Sequence, residues 1–100
     1  MKVVYTGEAE ADLVEIGIWI AHDSPRRAHT FVDELRDACE ALGDFPRMYR
    51  LVPRHELSGI RRKPYGNYLI FYRLATDTVE IIHIVHGARD YDALLFPEGD

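Results

Sequence analysis

Cysteine is nearly absent. Cys39 is the single cysteine in 100 residues, which excludes an intramolecular disulfide and leaves no thiolate cluster for zinc. A lone residue of this kind is expected as a small buried core side chain. Long apolar runs are also missing: the best of them, such as Ile16 to Ala21, fall well below the roughly 20 residues needed to cross a bilayer. No basic-then-apolar leader opens the chain, so the expected compartment is the cytoplasm. The seven glycines are scattered at turns and build no phosphate-cradling loop. Neither a Gly-x-Ser-x-Gly elbow nor a zinc-protease helix is present. Nothing in the chain calls for a metal or a cofactor.

What is present is an ordinary globular balance, with 47% hydrophobic and 29% charged residues, and a length suited to one domain spanning residues 1–100. The net charge is −5, but its distribution is uneven. Residues 1 to 44 carry ten acids against four bases, residues 45 to 89 three acids against eight bases, and residues 90 to 100 four acids and no base. A net positive balance is confined to residues 45 to 89, which suits a local anionic contact. Direct nucleic-acid binding is not expected, since a protein coating long nucleic acid has an overall basic balance.

Lys2 to Tyr5 alternates with β-favouring residues and predicts a first strand. Thr6 can cap a helix whose first turn holds Glu8 and Glu10, well placed against the positive end of the helix dipole. Ala9, Leu13, Ile16 and Ile20 recur at helical spacing, with Val14 and Ile18 broadening the stripe, and this helix is expected to stop near His22. Ser24-Pro25 is a second start signal, a hydroxyl cap followed by proline where its missing N–H costs nothing. Ala28, Phe31, Leu35, Ala38 and Leu42 follow at spacings of three and four, up to Gly43. The connection between the helices is short, so they form an antiparallel hairpin. Residues 44 to 56 lack either period and make a long connection.

Three strands rich in β-branched and aromatic residues are expected over Leu57 to Lys63, Asn67 to Leu74 and Val79 to His86, with turns at Pro64 to Asn67 and Ala75 to Thr78. The fold class is therefore α+β: an N-terminal strand, a helical hairpin, a three-stranded antiparallel meander and a short C-terminal tail. Both faces of the meander read as apolar, because Tyr68, Ile70 and Tyr72 alternate with Leu69 and Phe71. Two helices cover one face. The other needs either the chain's own Ala93-Leu94-Leu95-Phe96 or a partner.

The order of these segments, with Ala11-Asp12-Leu13 and Ile16 in the first helix, Tyr68-Leu69-Ile70-Phe71-Tyr72 in the meander and Ile84-Val85-His86-Gly87-Ala88-Arg89-Asp90 at its end, resembles the RelE/ParE superfamily of bacterial toxins. The ending is similar to the ParE branch in particular. The resemblance covers nearly the whole chain and implies the toxin of a type II toxin–antitoxin module, silenced by a co-expressed antitoxin of ParD-like or similar kind. It also implies two different activities on one fold, since ParE-like members inhibit DNA gyrase and RelE-like members cut mRNA on the ribosome, and a third reading is an inactive toxin-derived binding module.

The acidic sum of charges favours the gyrase inhibitor over a ribosome-directed ribonuclease. In that reading no residue is catalytic. Arg89, Tyr91, Leu94 and Leu95 are the expected target contacts, since arginine and tyrosine beside apolar residues dominate interface energetics. Arg61, Lys63, Arg73, Tyr68 and Tyr72 are the expected antitoxin contacts. The ribonuclease alternative places Arg61, Lys63, Arg73, His86, Arg89 and Tyr91 around an RNA phosphate, with an acid and a base nearby. His83 and His86 are three apart and point to opposite faces of a regular strand, so they cannot act as a pair.

Overall fold

The computed structural model describes residues 1–97. Strand β1 (Lys2–Tyr5) leads into helices α1 (Gly7–Ala21) and α2 (Pro25–Glu40). Strands β2 (Ile60–Tyr65), β3 (Tyr68–Leu74) and β4 (Thr78–His86) follow, and a five-residue helix, α3 (Tyr91–Leu95), closes the described chain. Both long helices start where the caps predict. Thr6 accepts the Ala9 N–H and Ser24 accepts the Arg27 N–H, each at 3.1 Å, satisfying amides that have no partner within the helix.

The sheet has four strands in the order β1-β4-β3-β2. Strands β2, β3 and β4 form the expected antiparallel meander. The first strand joins the same sheet at its far edge, parallel to β4, with Val3 beside Val79. Strand β2 begins later and runs further than the sequence suggests. Residues 56–58 make a 3-10 turn that leaves Leu57 exposed, whereas Pro64 and Tyr65 stay in the strand. Proline is tolerated there because β2 is an outer strand. The tight turn is then Gly66-Asn67 alone, with Gly66 at φ +57°, a conformation that glycine adopts without penalty.

Two layers of core result. On the helix side, Ile70, Tyr72, Val79, Ile81 and Ile84 pack against Leu13, Ile16, Leu35 and Leu42. On the opposite side Ile60, Phe71 and Val85 join Val52 beneath Tyr91, Leu94, Leu95 and Phe96. The second apolar face is thus covered by the chain's own tail. The pairing register shifts between Phe71 and Tyr72, passing over Ile82, so that Ile82 and His83 both fall on the tail side.

The aperiodic connection is less loose than its sequence suggests. Val52 is fully buried, and the 50–52 segment lies beside β2, with Val52 N–H donating to the Ile60 carbonyl and Arg62 N–H to that of Arg50. The stripe on α1 is narrower than expected. Ala9, Leu13 and Ile16 are buried and Ile20 is half-buried, while Val14 and Ile18 are exposed.

Candidate functional site

The basic residues of the sheet half do not converge. Alternation along β2 sends Arg61 and Lys63 to the helix side and Arg62 to the tail side. Arg61 donates to the Tyr49 carbonyl at 2.7 Å, and the Lys63 ammonium donates to the Ala38 carbonyl at 2.7 Å while sitting 5.4 Å from the centre of the Tyr49 ring. Burial pulls the Lys63 ammonium below its ordinary pKa. Tyr72 donates to the Pro46 carbonyl at 2.9 Å. Together these three side chains tie the 44–50 connection to the sheet.

Tyr72 is fully buried, so its expected role as an antitoxin contact is corrected: no partner can touch it in this fold. The expected convergence of Arg73 and Tyr91 with Arg61 and Lys63 is corrected as well, because they occupy opposite faces of the sheet. Arg73 pairs with Glu80 at 2.8 Å, and Tyr91 accepts a hydrogen bond from Arg62 at 2.7 Å. Leu94 and Leu95 are half-buried against the tail-side core, and Arg89 is exposed without an ion-pair partner among the described residues. The tail has a further clasp that the sequence does not reveal. His55 stacks on Phe96 with ring centres 3.7 Å apart, and its Nε2 lies 3.4 Å from Asp92.

The two histidines of β4 have separate settings. His83 meets Asp12 through Nδ1 at 2.7 Å, and the same carboxylate oxygen accepts the Ile84 N–H at 2.8 Å. Thr6 adds a hydrogen bond to the Ile82 carbonyl at 2.8 Å. The start of α1 is thereby fastened to the stretch of β4 that β1 does not reach. His86 lies instead on the helix side, edge-on to Tyr68 at 5.4 Å and 78°. It accepts the Ala88 N–H at Nδ1.

Beside His86 the surface opens into a cleft of about 390 Å³ lined by Glu15, Ile16, Trp19, Tyr68 and His86. Trp19 is 69% exposed, and on the neighbouring row of α1 Val14 is 62% and Ile18 57% exposed. A second groove, about 450 Å³, runs between α1 and α2 past Val14, Ile18, Ala21, Ala28 and Val32. The sequence carries a signal for this surface: α1 is apolar on more sides than one hairpin core can bury. Cys39 is fully buried and burial pushes its thiol up to about 12, which makes it a core side chain and a poor nucleophile. Among the described residues no three His, Cys, Asp or Glu side chains cluster around a point that could hold a metal.

A four-stranded sheet with a helical hairpin on one face and a short tail on the other is the architecture of the RelE/ParE toxin superfamily. The chain belongs to the ParE toxin family of type II toxin–antitoxin systems (parDE), whose sequence model matches residues 3–91. It is 33% identical over 88 residues to Toxin RelE2 of Caulobacter vibrioides, covering 88% of this chain and 97% of that protein. Among solved structures it is similar to a chain of the chromosomal ParDE toxin–antitoxin system from P. aeruginosa, with a TM-score of 0.73, 19% identity, and coverage of 86% of this chain and 95% of that one. It is also similar to a chain of the toxin–antitoxin complex RelBE2 from Mycobacterium tuberculosis, with a TM-score of 0.61, 26% identity, and coverage of 85% and 95%.

Proposed function

We propose that this toxin acts in the cytoplasm by protein–protein contact, with DNA gyrase as the target, and that a cognate antitoxin keeps it silent. The observation that carries the reading against the ribonuclease is the dispersal of the cations. Cleavage through a 2′-hydroxyl needs a base, an acid and cations gathered on one phosphate. Here Arg61 and Lys63 are spent on backbone carbonyls on one side of the sheet, and Arg73 is paired with Glu80 on the other. His86 lies over Tyr68, away from Arg73 and Arg62.

Contact with the target falls to the free end of the meander, where exposed Arg89 precedes Tyr91 and the half-buried Leu94 and Leu95. The purified protein is expected to block supercoiling by gyrase while leaving ribosome-bound mRNA intact. Arg89→Ala is expected to keep the fold and antitoxin binding but lose growth arrest, because an exposed charge contributes at most about 1 kcal/mol to stability. Cleavage of mRNA in a translating extract would reverse the reading. Full toxicity of Arg89→Ala would move the target contact elsewhere.

A further inference from the structure

The cleft on α1 combines features that a bare apolar patch does not have. It offers an exposed indole, a phenol ring and an imidazole around one carboxylate, Glu15. Two of the three other acids of α1 have partners, Glu10 through Arg36 and Asp12 through His83, each at 2.7 Å, and Glu8 lies a helical turn and more away from the cleft at the start of the helix. Glu15 has none among the described residues, and Gly7–Ala21 carries four acids and no base. Aromatic faces attract cations through their quadrupole, most strongly for tryptophan, and a carboxylate beside them adds a charge-assisted hydrogen bond. His86 accepts the Ala88 N–H at Nδ1, which holds its ring edge-on to Tyr68 at the rim of the cleft.

We propose that the cleft formed by Glu15, Trp19, Tyr68 and His86 receives an arginine or lysine side chain of the antitoxin, with apolar residues of the same segment lying on Val14 and Ile18. This rests on the toxin–antitoxin reading and specifies the partner's chemistry at one of its contacts. Charge complementarity selects the occupant: the surface is acidic and aromatic, so the entering side chain is basic. The exposed row of Val14 and Ile18 beside the cleft selects a protein segment over a small cation, because a single ammonium ion leaves that row uncovered. The assignment also reverses the polarity expected from the sequence, in which acids of the antitoxin would meet Arg61, Lys63 and Arg73.

Trp19 is the chain's single tryptophan, so its emission reports on the cleft directly. The test is co-expression with the product of the adjacent gene, followed by fluorescence and calorimetry on the purified proteins. On complex formation Trp19 emission is expected to shift to shorter wavelength and become shielded from acrylamide. Glu15→Gln and Trp19→Ala, both at exposed positions, should each weaken the complex by about tenfold without changing the circular dichroism spectrum. Replacing the antitoxin's arginines and lysines one at a time by glutamine should find one whose loss is not additive with Glu15→Gln. A complex that forms with Trp19 emission unchanged, or with both toxin substitutions within twofold of wild type, overturns the cleft assignment and leaves the toxin reading standing. A dimer of the toxin alone that Trp19→Ala dissociates would also overturn it, since the occupant would then be a second copy. Failure to form any complex overturns both.

Discussion

The two faces of the sheet carry equally apolar residues but very different covers. On one side a hairpin of 15- and 16-residue helices, capped at both starts, packs Leu13, Ile16, Leu35 and Ala38 onto the strands. On the other, a helix of five residues lies over Phe71 and Val85. A five-residue helix cannot sustain itself, because the cost of its nucleus is never recovered by propagation. The tail is ordered only by what it touches. Period-two alternation is sufficient to make a face apolar, but the stability of that face is set by the autonomy of whatever covers it. The tail side is therefore the side expected to open first in local fluctuations.

The strongest test of this contrast is Leu35→Ala on the hairpin side. Leu35 is fully buried, and its truncation is expected to cost about 2 to 5 kcal/mol, read as a lower urea midpoint with an unchanged slope. The next is a chain ending at Asp90. It should still unfold cooperatively and lose only about 1 to 2 kcal/mol, because ordering the tail backbone at roughly 1 to 2 kcal/mol per residue offsets most of what its burial contributes. Exposed Phe71 and Val85 should then bind a hydrophobic dye. If the truncated chain does not fold, the two covers are equal partners and the contrast fails. The smallest effect is expected for Tyr91→Phe, which removes the hydrogen bond from Arg62 and should cost about 0.5 to 1.5 kcal/mol, measured by the same denaturation. A larger loss would mean that the polar clasp, and not apolar contact, holds the tail.

Much of the hairpin side can be read from the sequence because its determinants are local. Thr6 and Ser24-Pro25 announce helix starts within three residues of the amides they cap, and the spacing of Ala28, Leu35 and Ala38 is a property of one helix, with Leu42 in the 3-10 turn that ends it. The tail side is different. Val52 sits in a stretch without a period, yet it becomes a core residue because Ile60 and Phe71 come to it from other elements. The His55 stack on Phe96 joins residues far apart in the chain, and no spacing rule reaches across such a gap. The candidate site was legible only in part. Alternation along a strand is enough to put Arg61 and Lys63 on one face, but which face, and that backbone carbonyls occupy them, depends on where α2 and the 44–50 connection run. The cleft on α1 hid behind a wrong assumption, that Val14 and Ile18 widen the core stripe. Their exposure is a tertiary fact: the sheet is only as wide as one stripe on each helix.

The hydrogen bonds from Thr6 and the Ile84 amide's bond to Asp12 have a consequence for crowded solutions. Without them, the outer edge of β4 beyond Ile81 would offer free amides and carbonyls to any passing strand, the template from which fibrils grow. At the opposite edge the 50–52 segment pairs with β2, and Pro64 presents no donor at all. With these stretches stopped, the rungs left open along that side are those of β1, a strand of only four residues. So short an edge is a poor template for strand addition, which disfavours stacking of copies at high concentration.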